Sequence, residues 1–481
     1  MKKSTILLLW TLVFSFSCDN LLDKEPLDEV SNEDALENIE VVSVAMIGTY
    51  SGLLNTSYYF SMMVTYPEFA GGNVKLGNST TSIGIERYNS LYNFTTTPFP
   101  NGASSTQVLG IYGDIYDVIN RANNIIAAIP DLPDGTPEER NNLLGEAYFF
   151  RALAHFDLLR VYSQAYNFTA DASHLGIALL ESTPEVFELP ARNTVLEVYE
   201  FIIDDLTQAI DLINENSQRT TSTTIWLSSN AAKALLARVH LYKEDWQVAA
   251  RLASEVIESG AYQLATTDDY ESIWSGLGGN GKQEVIFELD LATSTARSVG
   301  EVYGVGQDQA FGTASADLLS LYSSNDIRGT NTMIEAFDTG NGSDFLSKKF
   351  IFSTEIAYPI VLLRLSEVYL IRAEAYAELG QTELAQADLD VIKQRANPLV
   401  GNTTLTGNSL LEEIFRERRR ELAFEGHLLF DLTRKRRGVT RVDCPDSNPN
   451  CVVNYPSNLF VLPIPQRQID ANPETQQNPG Y

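Results

Sequence analysis

The chain has 481 residues, of which 44% are hydrophobic and 20% are charged, a composition that can form a large core and is untypical of disordered proteins. It carries 63 acidic residues against 34 lysines and arginines, for a formal net charge of -29 at pH 7. A negative field of this size repels phosphate backbones, so we predict no nucleic-acid partner. The arginines that crowd residues 416–437 alternate with glutamates at helical spacing, which favours a paired or solvated charge ladder over a basic binding patch.

The N-terminus has the pattern of an export signal. Lys2 and Lys3 precede an apolar run, Ile6 to Phe16, that is too short to span a bilayer. Cys18 follows shortly after, as in the signal of a bacterial lipoprotein, where the cysteine becomes the lipidated first residue. We therefore predict a signal peptide over residues 1–17 and an acidic tether over residues 18–31. The alternative is an ordinary cleaved signal in which this cysteine is incidental.

Helical periodicity accounts for most of the remaining chain. Apolar residues recur at three- and four-residue spacing in stretches bounded by capping or helix-breaking residues. We predict helices or helix pairs over residues 32–54, 107–128, 136–162, 193–213, 229–259, 364–396 and 408–434. Thr136, followed by Pro137, and Thr382 are predicted N-caps. The alanine-rich stretches 229–259 and 364–396 are predicted hairpins that stack on partner helices, as tetratricopeptide repeats do.

Two segments show no sustained helical period. Residues 57–106 mix tyrosines with glycine, asparagine, serine and threonine, and we predict ordered irregular structure there. Residues 265–352 are also irregular, apart from a predicted strand from Glu284 to Asp290. The glycine-rich run Gly276 to Gly281 precedes that strand, whereas a phosphate-binding loop follows a strand and opens a helix. A phosphate site is therefore weakly supported.

The two remaining cysteines, Cys444 and Cys451, flank a short turn-forming stretch. In an exported chain an even pair so close in sequence predicts a disulfide. Closing so short a loop is worth roughly 2–3 kcal/mol by the chain-entropy model. We predict no metal site, because none of the four histidines lies near these cysteines in sequence. No cofactor is predicted either.

Several stretches, taken in order, resemble the SusD/RagB family of surface glycan-binding lipoproteins. They are the Cys18 lipobox with NLLDKEPLDE behind it, GEAYFFRALAHFDLLRVY, DLLSLYSSNDIRG, RLSEVYLIRAEAYAELG, RERRRELAFEGHLLFDLTR, and VLPIPQRQIDANP with a terminal QNPGY. Together they span nearly the whole chain. The acidic residues behind Cys18 also resemble the signal that sorts Bacteroidetes lipoproteins to the cell surface.

The resemblance implies a mainly α fold in a single domain, residues 32–481. A tetratricopeptide-like helical-repeat core, approximately residues 107–264 and 355–434, would carry irregular, partly β insertions, approximately 57–106 and 265–352, that form the ligand-binding face. The implied function is non-catalytic glycan binding at the outer membrane, with delivery to a SusC-like TonB-dependent transporter. The lipid on Cys18 would hold the chain on the outer membrane, with the cell surface as the preferred side.

Sugars are bound by aromatic faces and by side chains that hydrogen-bond hydroxyl groups. Candidate glycan contacts are Tyr66, Asn73, Arg87, Tyr88 and Tyr92 in the first irregular segment, and Trp274, Tyr303 and Gln307 in the second. For each residue alone, a packed ring or a surface polar side chain is the more frequent explanation.

No enzyme is predicted, because the chain has no GxSxG, P-loop or HExxH motif. It has so many carboxylates that pairing two of them as a glycosidase acid and base would be arbitrary. The alternative function is a helical-repeat scaffold that binds protein or peptide at the outer membrane.

Overall fold

The structure is a computed structural model. It describes residues 36–77, 82–99, 105–185, 187–214, 224–290, 299–306, 310–330, 332–340, 342–353, 358–445 and 448–481. The predicted signal peptide, the tether with Cys18, and Gln307 lie outside the described residues.

Fifteen α-helices make up nearly half of the described chain. They are α1 (Ile39–Leu53), α2 (Met62–Gly71), α3 (Ser82–Asn93), α4 (Ser105–Ala128), α5 (Pro137–Tyr162), α6 (Val195–Leu212), α7 (Ser229–Tyr242), α8 (Trp246–Glu258), α9 (Val299–Tyr303), α10 (Ala316–Leu319), α11 (Leu365–Glu378), α12 (Thr382–Ala396), α13 (Gly407–Glu421), α14 (Leu428–Arg434) and α15 (Gln466–Ala471). Among the described helices, none is both long and apolar enough to cross a bilayer.

The long helices pack side by side in chain order. Helix α5 packs between α4 and α6, α6 packs on α7, and the hairpin α7–α8 stacks on the hairpin α11–α12 through α8 and α11. Small residues allow the close approach, since Ala253, Ala373 and Ala385 are fully buried. The predicted hairpins and their stacking are confirmed.

Capping boxes fix the starts of two of these helices. Thr136 and Thr194 each accept a hydrogen bond from the N3 backbone N–H, and the N3 glutamate accepts one from the cap's own N–H. Thr136 therefore caps α5 as predicted, with Pro137 at the first helical position. The prediction for Thr382 was wrong: it is the first residue of α12, and the N-cap, Gln381, makes no side-chain capping bond.

Two further expectations from the sequence differ from the structure. Residues 57–106 contain helices α2 and α3; every residue of α2 is buried, so it has no polar face to produce a period. The predicted helix over 408–434 is two helices, because Phe424 (φ 71°) and Gly426 (φ 84°) take left-handed conformations in the turn between α13 and α14.

Nine short strands form four small sheets among the described residues. They are β1 (Val74–Leu76), β2 (Val285–Leu289), β3 (Gly304–Val305), β4 (Gly312–Ala314), β5 (Ile334–Asp338), β6 (Ser343–Ile351), β7 (Ile360–Arg364), β8 (Val439–Thr440) and β9 (Val452–Val453). Strand β2 confirms the predicted strand and pairs antiparallel with β7, with Phe287 opposite Leu363. The other sheets are β1–β4, β3–β6–β5 and β8–β9.

The C-terminal part of the chain is tied back to its first half. Cys444 and Cys451, next to the β8–β9 pair, form the predicted disulfide. Further on, the Asn478 side-chain amide donates to the backbone carbonyls of Tyr162 and Leu462, both at 2.8 Å. The Tyr481 hydroxyl donates to the carbonyl of Val461 at 2.9 Å. These bonds hold the chain end against the C-terminal end of α5.

Candidate functional site

A polar cleft of about 720 Å³ opens beside strand β2, where the helical hairpin α7–α8 gives way to the second irregular segment. Its volume falls in the range of roughly 300–1,000 Å³ that is typical of small-molecule sites. Most of the side chains that line it carry hydrogen-bonding groups: Thr224, Tyr262, Gln263, Ser275, Lys282, Gln283, Glu288 and Asp290.

The glycine-rich loop forms one wall of this cleft. Gly278 (φ 80°) and Gly279 (φ 133°) adopt backbone conformations that side chains disfavour. A Cβ atom on Gly281 would lie 2.5 Å from the carbonyl oxygen of Asp269, and its N–H donates to Ser272 Oγ at 2.8 Å. The glycines therefore fold a tight loop against the neighbouring chain, which accounts for them without a phosphate ligand.

Charge is unevenly distributed over the cleft. The Lys282 ammonium contacts Glu288 Oε2 at 2.5 Å, and the Thr224 hydroxyl donates to Glu288 Oε1 at 2.9 Å. Both oxygens of this buried carboxylate are thus engaged, and the lysine charge is neutralised. Asp290 is exposed and has no ion-pair partner within the described residues. The lining therefore presents one unpaired negative charge.

A buried charge cluster lies behind the cleft and supports strands β2 and β7. Glu421 is fully buried and accepts from Arg364 at 2.6 Å, from Arg395 at 2.5 Å and from Arg328 at 2.9 Å. Burial alone would raise the pKa of Glu421, but these three arginines outweigh it and hold that pKa well below its ordinary value. The same cluster includes Glu284, Glu417, Glu425, Asp326 and Lys349.

The predicted contact Trp274 packs over this cluster. Its ring is 1% exposed, and the Lys349 ammonium and the Arg364 guanidinium lie 4.8 and 5.5 Å from the ring centroid. Such cation–π contacts stabilise cations that have been removed from water. Tyr270 packs edge-on against the same ring at 5.2 Å. The structure therefore places Trp274 as part of the scaffold behind the cleft.

The candidates from the first irregular segment are also buried. Tyr66, Tyr88 and Tyr92 are each 2% exposed. The Tyr88 ring stacks on Phe69 with centroids 4.9 Å apart, and the Arg87 guanidinium lies 5.6 Å from the Tyr88 centroid.

Asn73 and Tyr303 join the same core region through hydrogen bonds. The Asn73 amide donates to Glu68 at 2.9 Å and accepts from Arg419 at 2.8 Å, while the Tyr303 hydroxyl donates to the carbonyl of Phe424 at 2.7 Å. All the described candidates are thus buried and packed against other parts of the chain. A sugar contact by any of them remains a prediction.

Two family models match the chain at its two ends. The model of the SusD family matches residues 346–481, and a model described as "Starch-binding associating with outer membrane" matches residues 27–241. Together they match more than half of the chain. The chain belongs to the SusD/RagB family.

SusD relatives match along the whole chain. The SusD-like protein P38 of Formosa agariphila is 24% identical over 537 aligned positions, which cover 99% of this chain and 98% of that protein. A SusD superfamily structure from Bacteroides vulgatus has 29% identity and a TM-score of 0.80, covering 92% of this chain and 99% of its own. A SusD superfamily structure from Bacteroides thetaiotaomicron has 26% identity and a TM-score of 0.80, and the match covers 92% of this chain and 100% of that one. The predicted family and the mainly α, tetratricopeptide-like fold are confirmed.

None of the predicted glycan contacts within the described residues lines this cleft. That prediction weighted aromatic rings in the irregular segments, whereas Gln263 and Gln283 are glutamines on either side of one loop. The available signal was the glycine-rich run with polar residues next to a buried strand. Within the described ranges, no group of three His, Cys, Asp or Glu side chains is placed to hold a metal ion.

Proposed function

We propose that this chain is a non-catalytic glycan-binding lipoprotein of the outer membrane. In this proposal it captures oligosaccharides or polysaccharides at the cell surface, is anchored through Cys18, and delivers its ligand to a SusC-like TonB-dependent transporter. The observation that carries the proposal is the match of residues 27–241 to the starch-binding, outer-membrane family model, joined by the SusD match at residues 346–481.

The division of the molecule supports this assignment. The regular helix pairs form one continuous stack, whereas the strands and short helices of residues 265–352 depart from it. Binding residues occur disproportionately on irregular segments that a rigid scaffold positions. We propose that the helical side faces the transporter and that the other side faces the glycan.

The state of the cleft carboxylates supports binding without hydrolysis. A glycosidase needs one protonated and one ionised carboxyl group that both reach the sugar. Glu288 is 5% exposed, and both of its oxygens are taken by Lys282 and Thr224. Among the described cleft residues, Asp290 is then the one carboxylate that is free to reach a sugar. The second carboxyl group that hydrolysis needs is not available from them.

The test uses the soluble chain begun after Cys18. Its migration is followed by affinity electrophoresis in gels that contain starch, laminarin, xylan, alginate or carrageenan, and positive cases are measured by calorimetry. We expect retardation by at least one glycan and no release of reducing sugar. Binding to peptides but to no glycan would favour the helical-repeat scaffold instead. Release of reducing sugar by the purified chain would overturn the non-catalytic assignment.

A further inference from the structure

We propose that the cleft beside β2 is the place where this chain contacts its glycan, and that the cleft selects uncharged, hydroxyl-rich saccharides. This inference rests on the proposed function and adds to it a position and a substrate class. Its parts are an oriented aromatic ring, a pair of glutamines and a single unpaired carboxylate.

The aromatic ring is Tyr262. It lines the cleft half-buried, and its hydroxyl lies 3.1 Å from the Ser228 hydroxyl, at the N-cap of α7. This hydrogen bond fixes the ring before any ligand arrives. A held ring loses little freedom on binding, so it suits stacking against the C–H face of a pyranose.

The two glutamines supply groups that can bond hydroxyls. Gln263 and Gln283 are exposed, and each amide offers both donors and an acceptor, as sugar hydroxyls require. A backbone bond from Gln263 N–H to the carbonyl of Gln283, at 2.9 Å, joins the two segments. The backbone segments that carry the two side chains are therefore joined to each other before a ligand binds.

The charge balance decides the substrate class. Lys282 is the cationic side chain among the described lining residues, and it forms a salt bridge with Glu288. An anionic sugar would therefore find no unpaired positive charge among these residues. It would instead meet the exposed carboxylate of Asp290. Like charges repel, and an unpaired sulfate or uronate would lose hydration without compensation. A neutral saccharide can use the same carboxylate as a hydrogen-bond acceptor.

The experiment compares the wild-type soluble chain with two double variants. The cleft variant carries Gln283→Ala and Asp290→Asn, and the matched control carries Gln208→Ala and Asp204→Asn on the exposed face of α6. All four side chains are exposed, so both variants are expected to fold, which thermal unfolding verifies. A third protein, Tyr262→Ala, tests the ring. Affinities are measured by calorimetry for the neutral glycans starch, laminarin and xylan, and for alginate and carrageenan.

We expect the wild type and the control to bind the same neutral glycan with equal affinity, and the cleft variant and Tyr262→Ala to bind it at least tenfold more weakly. We expect both alginate and carrageenan to bind the wild type more weakly than that neutral glycan does. If the wild type binds a glycan and the cleft variant binds it equally well, the cleft is not the site, while glycan binding as such stands. Tighter binding of alginate or carrageenan refutes the selectivity. Binding of no glycan removes this inference together with the proposed function.

Discussion

His155 is a buried, titratable residue whose hydrogen bonds in the folded protein require the neutral form of its ring. It is fully buried in α5, where Nδ1 lies 2.8 Å from the carbonyl oxygen of Arg151, and the backbone N–H of Leu180 donates to Nε2 at 3.3 Å. One ring nitrogen must donate and the other must accept, which only the neutral ring can do. Burial lowers the pKa of His155 to about 3.

The neutral state of His155 predicts a specific loss of stability in acid. Its folded pKa lies below its unfolded value near 6.5, so between these values the unfolded chain binds a proton that the folded chain does not. The free energy of unfolding therefore falls as pH drops from about 6.5, by up to roughly 1.4 kcal/mol per pH unit for this group. We expect urea titrations at pH 7, 5 and 4 to show a smaller fall for His155→Gln than for the wild type. Equal falls would contradict the assignment.

At the scale of elements, the turn between α13 and α14 depends on one distant carboxylate. Glu68, in α2, is fully buried and accepts the backbone N–H groups of Phe424, Gly426 and His427 at 3.0, 3.0 and 3.1 Å. With the amide of Asn73, four donors point at this carboxylate. Burial raises its pKa, while these four hydrogen bonds oppose the rise.

Replacing this carboxylate by an amide is expected to loosen the turn. In Glu68→Gln one amide NH₂ faces N–H donors, so at least one buried donor loses its acceptor, at a cost of about 2–4 kcal/mol. The free energy of unfolding, measured in urea at pH 7, checks this value. Glu271→Gln changes an exposed glutamate in the same way and is expected to stay within about 0.5 kcal/mol of the wild type. Similar values for the two variants would show that Glu68 does not hold the turn.

The same turn shows what the sequence can and cannot predict about elements. Thr136 and Pro137 are local signals for the start of a helix, and α5 begins where they predict. The turn after Glu421 donates backbone N–H groups to Glu68, more than 350 positions earlier, and no local pattern reveals that contact. Helix α2 escaped prediction for a related reason: it is surrounded by other elements, so its apolar residues follow no single face.

At the scale of the whole molecule, buried ion pairs join segments that are far apart in sequence. Through Glu421 the cluster connects α13 with the end of β7, the end of α12 and the loop that contains Arg328. A separate group joins α7, α11 and α14 through Arg238 with Glu367 and Arg434 with Glu374. The sequence analysis predicted a paired or solvated charge ladder, and the structure shows buried pairs.

Removing one member of this cluster is expected to cost far more than removing a surface charge. Glu421→Gln leaves three buried arginines short of a partner, and we expect it to lower the free energy of unfolding by about 3–5 kcal/mol. The control Glu255→Gln breaks pairs with Arg251 and Lys233 on a side chain that is 37% exposed, and should cost less than about 1 kcal/mol. Urea unfolding at pH 7 gives both values. A loss below 1 kcal/mol for Glu421→Gln would mean that water reaches the cluster.

The fold as a whole was easier to predict than the site. Helix pairs leave a periodic pattern and small residues at their contacts, so the α7–α8 and α11–α12 hairpins were evident from the sequence. Aromatic content alone does not distinguish a buried ring from an exposed one, and Tyr88 and Trp274 are buried. The cleft arises where a loop, a strand and a helix hairpin meet, and that meeting is a property of the tertiary structure.

The bond from the Asn478 side chain to the carbonyl of Tyr162 has a consequence for how the molecule is made. The two residues are 316 positions apart, so the ribosome adds the second roughly 16 to 60 s after the first, at about 5–20 residues per second. During that interval the C-terminal end of α5 lacks the group that completes it. This bond can therefore form only after Asn478 has been added, so the packing at the C-terminal end of α5 is completed late in the synthesis of the chain.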